Sequence, residues 1–277
     1  MKRLSLALIL ALAFTAGGLA QKQPAASPTP QGKHPQAKTQ AEYKEYNTAY
    51  AISGGAQMEA AADAFAKKYP DSELRQYLYA KAMHEYQTEN NPEKMLAMGQ
   101  KVLALDPDEP VALVLTATVL SDQLGDGDPD RTQKIATVRK NAARALETVD
   151  TMPPPAGATP EQIAAYKDTL RVMARSALGI VSLKSGDDAA AEQELKAAAN
   201  SGQAPPDAFV WYHLALAQDH QKKYTEALAS VEQALKYIGS NADLGKLANG
   251  ERDRLRQLTG AATAPAPGSP NPAPPPH

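Results

Sequence analysis

Apolar and small residues recur at spacings of three and four along most of the chain, the period of a helix with one buried face. The clearest stretch is Trp211 to Leu235, WYHLALAQDHQKKYTEALASVEQAL. Trp211, Leu214, Ala215 and Gln218 line one face of a first helix, Gln221-Lys222-Lys223 makes a polar turn, and Ala227, Val231 and Ala234 repeat the rhythm on a second helix. Ala215 and Ala227 carry so little side chain that two helices can approach closely there. Trp211, Leu214 and Leu235 then fill the space around that contact.

The same rhythm returns upstream. Leu178-Gly179 is followed by Ala191, Leu195 and Ala198, and the step from Leu178 to Leu214 is 36 residues. Tyr79, Ala82, Met83 and Tyr86 precede Met95, Val102, Leu103 and Leu105-Asp106-Pro107. Leu113, Ala117 and Leu120 resume at Ala142, Ala145 and Leu146 after an insertion; Tyr43, Tyr46 and Tyr50 precede Phe65 and Tyr69-Pro70-Asp71-Ser72. The count is five hairpins.

This spacing resembles the tetratricopeptide repeat, with its period of about 34 residues and its pattern W-x2-L-G-x2-Y, then A-x3-F, then P. Trp211, Leu214 and Ala227 match outright; Ala215 stands for Gly, Gln218 for Tyr and Val231 for Phe. The resemblance implies an all-α fold, a superhelical stack of antiparallel helix hairpins (a TPR-like α-solenoid). It also implies a concave side lined by the first helix of each hairpin, where such proteins commonly hold a peptide or an extended partner segment. The YPDS ending of the first hairpin is similar to one found in repeat proteins of bacterial outer-membrane assembly.

The ends of the chain read differently. Lys2 and Arg3, the apolar run Leu4 to Phe14 and Gly18-Leu19-Ala20 make up a secretory signal peptide over residues 1–20. Its removal takes the formal net charge from −2 to −4. No cysteine follows Ala20 for lipid attachment, and no other stretch is long and apolar enough to span a bilayer. The expectation is an exported bacterial protein, periplasmic or extracellular. Residues 21–40 form a linker rich in Pro, Gln and Ala. Residues 41–150 form a first block of about three hairpins, 151–158 a proline-rich break, and 159–239 a second block of about two hairpins. A polar-faced capping helix over 240–259 and a Pro/Ala-rich tail over 260–277 complete the chain.

Candidate chemistry is sparse. The chain lacks cysteine, which removes disulfides, thiol catalysis and cysteine metal sites. Its near-neutral charge and 5% aromatic content are far from the basic balance of nucleic-acid binders. No G-x-S-x-G, P-loop or G-x-G-x-x-G occurs, so neither an enzyme nor a cofactor is expected. Asp126, Asp128 and Asp130 alternate like a calcium loop, but Arg131 and Thr137 stand where that loop needs Gly and Glu. A solvated turn capping the next helix is expected there, and no metal. His213 and His220 are seven apart, where helical metal pairs use three or four.

What remains is a surface. On the side of each first helix turned from its own partner helix stand Tyr77, Lys81, His84 and Gln87 in the second hairpin, and Phe209, Tyr212, His213, Leu216 and His220 in the fifth. Phe209 and Leu216 suit packing against a neighbouring repeat. Tyr77, Lys81, His84, Gln87, Tyr212, His213 and His220 form the candidate partner-binding set, since exposed Tyr combines contact area with a hydrogen-bonding tip. Two functions fit it: a non-catalytic scaffold for another protein or peptide of the cell envelope, or a binder of glycans or small ligands.

Overall fold

The computed structural model describes residues 36–153, 157–202 and 207–260. Among these the chain forms eleven α-helices: α1 (Gln40–Tyr50), α2 (Gly55–Lys68), α3 (Arg75–Thr88), α4 (Pro92–Leu105), α5 (Pro110–Gln123), α6 (Arg131–Thr148), α7 (Pro160–Lys184), α8 (Asp188–Ala199), α9 (Ala208–His220), α10 (Tyr224–Lys236) and α11 (Ala242–Thr259). A 3-10 turn over Val149–Thr151 follows α6. The expected signal peptide, residues 21–35 of the linker, 154–156 of the proline-rich break and the tail beyond Gly260 lie outside the described residues.

Helices α1 to α10 pair in order as five hairpins, the all-α arrangement that the spacing predicts. Their ends follow from local chemistry. Asn91 accepts from the Lys94 amide ahead of Pro92, and Asp187 from the Ala190 amide, so α4 and α8 each begin on a side-chain cap. Thr159 Oγ1 accepts from Gln162 N while Gln162 Oε1 accepts from Thr159 N, a reciprocal capping box with Pro160 in the first turn.

The chain divides into two compact units between Pro206 and Asp207. In the first, each second helix also packs on the first helix of the next hairpin: α2 on α3, α4 on α5, α6 on α7. Packing continues across the proline-rich segment because α7, at 25 residues, reaches both α5 and α6. The division therefore does not fall at 151–158, where composition places it.

Among the described residues, the apolar clusters of the first unit include two large ones. One gathers Met58, Phe65, Leu78, Met83, Met98 and Val102; the other gathers Leu113, Val138, Leu170, Ala174 and Val181. Small residues set the closest approaches. A methyl group on Gly179 would lie 2.5 Å from Leu195 Cγ, so α7 and α8 can only cross this closely at glycine. Polar contacts bind the hairpins further. Tyr79 and Tyr86 of α3 donate to Asp63 and Glu59 of α2, at 2.9 and 2.6 Å, and Lys101 and Lys94 of α4 reach the same two carboxylates at 2.7 and 3.0 Å. Buried Asn141 donates to Thr116 Oγ1 at 2.9 Å, joining α6 to α5.

The second unit holds α9, α10 and α11. Ala215 and Ala227 are fully buried where the two helices meet, with Leu214 and Val231 around them. Gln218, where the repeat pattern has Tyr, accepts from Ser230 at 2.7 Å inside the hairpin. Helix α11 packs on α10 through Leu244, Ala248 and Leu255. Two of its leucines stay outside that contact: Leu247 and Leu258 are 43% and 49% exposed.

Candidate partner-binding face

In the first unit, the predicted set on α3 divides into an inward and an outward half. Lys81 turns inward. Its ammonium donates to the carbonyls of Tyr50 and Ile52 at 2.7 and 2.5 Å, lies 5.2 Å from the Tyr50 ring centroid, and pairs with Glu85 at 3.7 Å. Glu85 and Glu89, one and two turns on, accept the amides of Gly54 and Gly55 at 2.9 and 2.6 Å. One stripe of α3 thus satisfies the last carbonyls of α1 and the first amides of α2, groups a helix leaves unpaired at its ends. Lys81 is committed to the fold. Spacing showed which side of α3 it occupies, but not that the preceding turn stands there.

His84 is exposed, with Nδ1 3.3 Å from Gln87 Oε1. Gln87 Nε2 is buried without a hydrogen-bond partner. Tyr77 is half-buried against the first apolar cluster.

Tyr77 does not stand alone, and its neighbours are what the spacing missed. Tyr46 and Tyr50 of α1 are half-buried, with ring centroids 5.5 Å apart, and Tyr46 feels Tyr43, Tyr50 and Tyr77 electrostatically. Tyr77 in turn feels Asp106 and Glu109, and Tyr166 of α7 feels Glu109. Tyr46 and Tyr50 of α1, Tyr77 of α3 and Tyr166 of α7 are thus all half-buried tyrosines on first helices of their hairpins. Burial pushes the Tyr46, Tyr50 and Tyr77 phenols up, and Tyr166 to about 12. Burial likewise pushes Glu109 up to about 7, although Oε2 accepts the Ala112 amide at 2.5 Å as the cap of α5. The signal for those of α1 was present as Tyr43, Tyr46 and Tyr50 at helical spacing, which also reads as plain core.

In the second unit, Tyr212 and His213 sit side by side on α9, rings perpendicular at 5.6 Å. His213 also stacks on Phe209 at 3.9 Å, and its Nδ1 lies 2.8 Å from the Phe209 carbonyl. His220, at the C-terminal end of α9, is exposed. The structure therefore joins His84 with Gln87, and Tyr212 with His213, in separate units.

The acidic turn after α5 is organised by cations of the protein. Asp128 accepts the Gly125 amide at 2.9 Å, Lys134 lies 3.2 and 3.1 Å from Asp128 and Asp130, and Arg131 lies 3.6 Å from Asp126. Asp130 makes no side-chain cap, contrary to expectation, because Lys134 one turn into α6 holds it instead. Among the described residues no group of three His, Asp or Glu side chains could hold a metal ion, and no helix is long and apolar enough to cross a membrane.

No protein-family model matches the chain, and no curated protein matches it. Among solved structures it is similar to the crystal structure of a thermophilic TPR protein from Thermus thermophilus, with 16% identity over 76% of this chain and 98% of that one and a TM-score of 0.42. So loose a likeness adds no weight to the helix pairing described above.

Proposed function

We propose that this protein is an exported, non-catalytic interaction scaffold that takes up a protein or peptide of the cell envelope along the face of its first helices. The observation that carries this reading is that the first helices α1, α3 and α7 each carry half-buried tyrosines, Tyr46, Tyr50, Tyr77 and Tyr166, which offer contact area with polar tips and little side-chain entropy to lose. Export rests on the signal-peptide pattern of residues 1–20. Contact is assigned to Tyr77, His84 and Gln87 in the first unit and to Tyr212, His213 and His220 in the second. Lys81 holds the rim by fixing the turn between α1 and α2.

A crosslinking pull-down from native envelope tests it, with the wild-type chain beside Tyr77→Ala/Gln87→Ala and Tyr212→Ala/His213→Ala. The expected result is one protein enriched by the wild type and lost from at least one variant that keeps its helical circular dichroism. Equal enrichment by all three chains would sink the assignment. The perpendicular rings of Tyr212 and His213 favour a second reading, stacking on the faces of a glycan. Titration of cell-wall fragments against Trp211 fluorescence decides that one, since Trp211 lies one residue from Tyr212.

A further inference from the structure

We propose that α11 pairs with α11 of a second copy of this chain, the two helices antiparallel, through the stripe Leu247, Glu251, Arg254 and Leu258. The spacings are four, three and four, so at 3.6 residues per turn all four side chains fall on one side of the helix. The two leucines stand about 16 Å apart along its axis. They are 43% and 49% exposed, whereas Leu244, Ala248 and Leu255 on the neighbouring side are buried against the unit's own core.

The order of the stripe identifies the occupant. Read from either end it runs apolar, charged, charged, apolar, with the two charges opposite in sign. A two-fold axis between Arg252 and Asp253 sets Leu247 on the partner's Leu258 and Leu258 on the partner's Leu247. The same axis sets Glu251 on the partner's Arg254 and Arg254 on the partner's Glu251. Every contact occurs twice, as an isologous interface requires. A parallel pair would instead set acid on acid and base on base.

The charges are held ready. Arg254 donates to its own Glu251 at 2.8 Å and lies 2.5 Å from Asp219 of α9, yet 45% of its side chain stays exposed. The guanidinium is fixed in direction with an open side. Stacking two such pairs antiparallel turns the open side of each guanidinium toward the partner's Glu251, the side chain of which is 12% exposed. The other arginines of the helix are engaged away from the stripe, Arg252 with Asp253 and Arg256 with Glu232. Gly250, at the margin of the stripe, has nothing within 4 Å of where a Cβ would stand, so a second backbone can come close. The charge order selects a copy of the same chain over an unrelated apolar partner.

Sedimentation equilibrium of the full chain over a concentration series tests this. The apparent mass is expected to rise from one chain toward two, and Leu247→Ser/Leu258→Ser to keep it at one. Glu251→Arg presents two bases and Arg254→Glu two acids, so each alone is expected to remain single, while their equimolar mixture recovers the two-chain mass. Far-UV circular dichroism shows that each variant is folded; if Arg254→Glu loses helix, the leucine variant still decides. A wild type that stays at one-chain mass throughout overturns the proposal, as do charge variants that pair as well as the wild type. If the full chain stays single but a chain ending at Gly260 pairs, residues 261–277 occupy the stripe in place of a second copy, and the proposal fails in that form too.

Discussion

Leu195 of α8 fills the space where Gly179 of α7 would carry a side chain, and Leu195 is fully buried. Gly179→Ala is therefore expected to cost about 1–3 kcal/mol through overpacking, seen as a lower thermal midpoint at unchanged helix content. Leu178-Gly179 was legible in the sequence as the large-small pair of the repeat pattern, and so were Tyr79, Ala82, Met83 and Tyr86, all buried as the spacing requires. Glu109 was not legible, because a Glu before Pro reads only as the start of a helix. Its environment arises from α3 and α7, remote in sequence. The folded protein binds the Glu109 proton at about pH 7, against 4.5 ordinarily, so the stability of the protonated form is full below about pH 4.5 and is lost as pH rises through 7. Glu109→Gln keeps an acceptor for the Ala112 amide and does not titrate. The stability of the wild type relative to this variant is expected to fall between pH 5 and 8 in urea melts. A difference that stays flat across that window would show that Glu109 titrates as an ordinary carboxylate.

At the scale of the element, two lysines do the same work in different hairpins. Lys81 of α3 satisfies carbonyls at the end of α1, and Lys184 of α7 donates to the carbonyls of Ser121 and Leu124 at the end of α5, at 2.9 and 2.8 Å. Removing a charged donor leaves those carbonyls short of a partner and is expected to cost about 1–3 kcal/mol. Hydrogen exchange can localise the loss: Lys81→Met is expected to deprotect amides of α1 and α2, and Lys184→Met those at the end of α5. Deprotection spread evenly over the chain would contradict a local cap. Helix boundaries were legible because caps and prolines are local signals, as at Asn91-Pro92 and Thr159-Pro160. The task of Lys81 was hidden because it depends on a turn 29 to 31 residues earlier. The acidic turn misled for the mirror reason: Asp130 is a good cap by type, but Lys134 competes for it.

At the scale of the molecule, the proline-rich stretches near 153 and 205 look alike in sequence, yet only the second marks a boundary between compact units. The difference lies in the length of α7, which packing uses and composition does not reveal. Trp211, the one tryptophan, reports on the second unit. Because hairpins in such arrays interact with their neighbours, Leu214→Ala is expected to shift the Trp211 unfolding transition more than the circular dichroism transition, and Met98→Ala the reverse. Each buried truncation should cost about 2–5 kcal/mol. Coincident shifts in both variants would mean that the described residues unfold as one cooperative body. The buried polar pairs, Asn141 with Thr116 and Gln218 with Ser230, bear on how such a chain can be rebuilt. Hairpins joined only by alanine against alanine are interchangeable parts, and recombination could shuffle or duplicate them at little cost. A hairpin whose helices are keyed by a polar pair accepts only its own other half, since either half alone would bury an unanswered donor or acceptor. In this chain the third and fifth hairpins are therefore expected to tolerate exchange only as whole units.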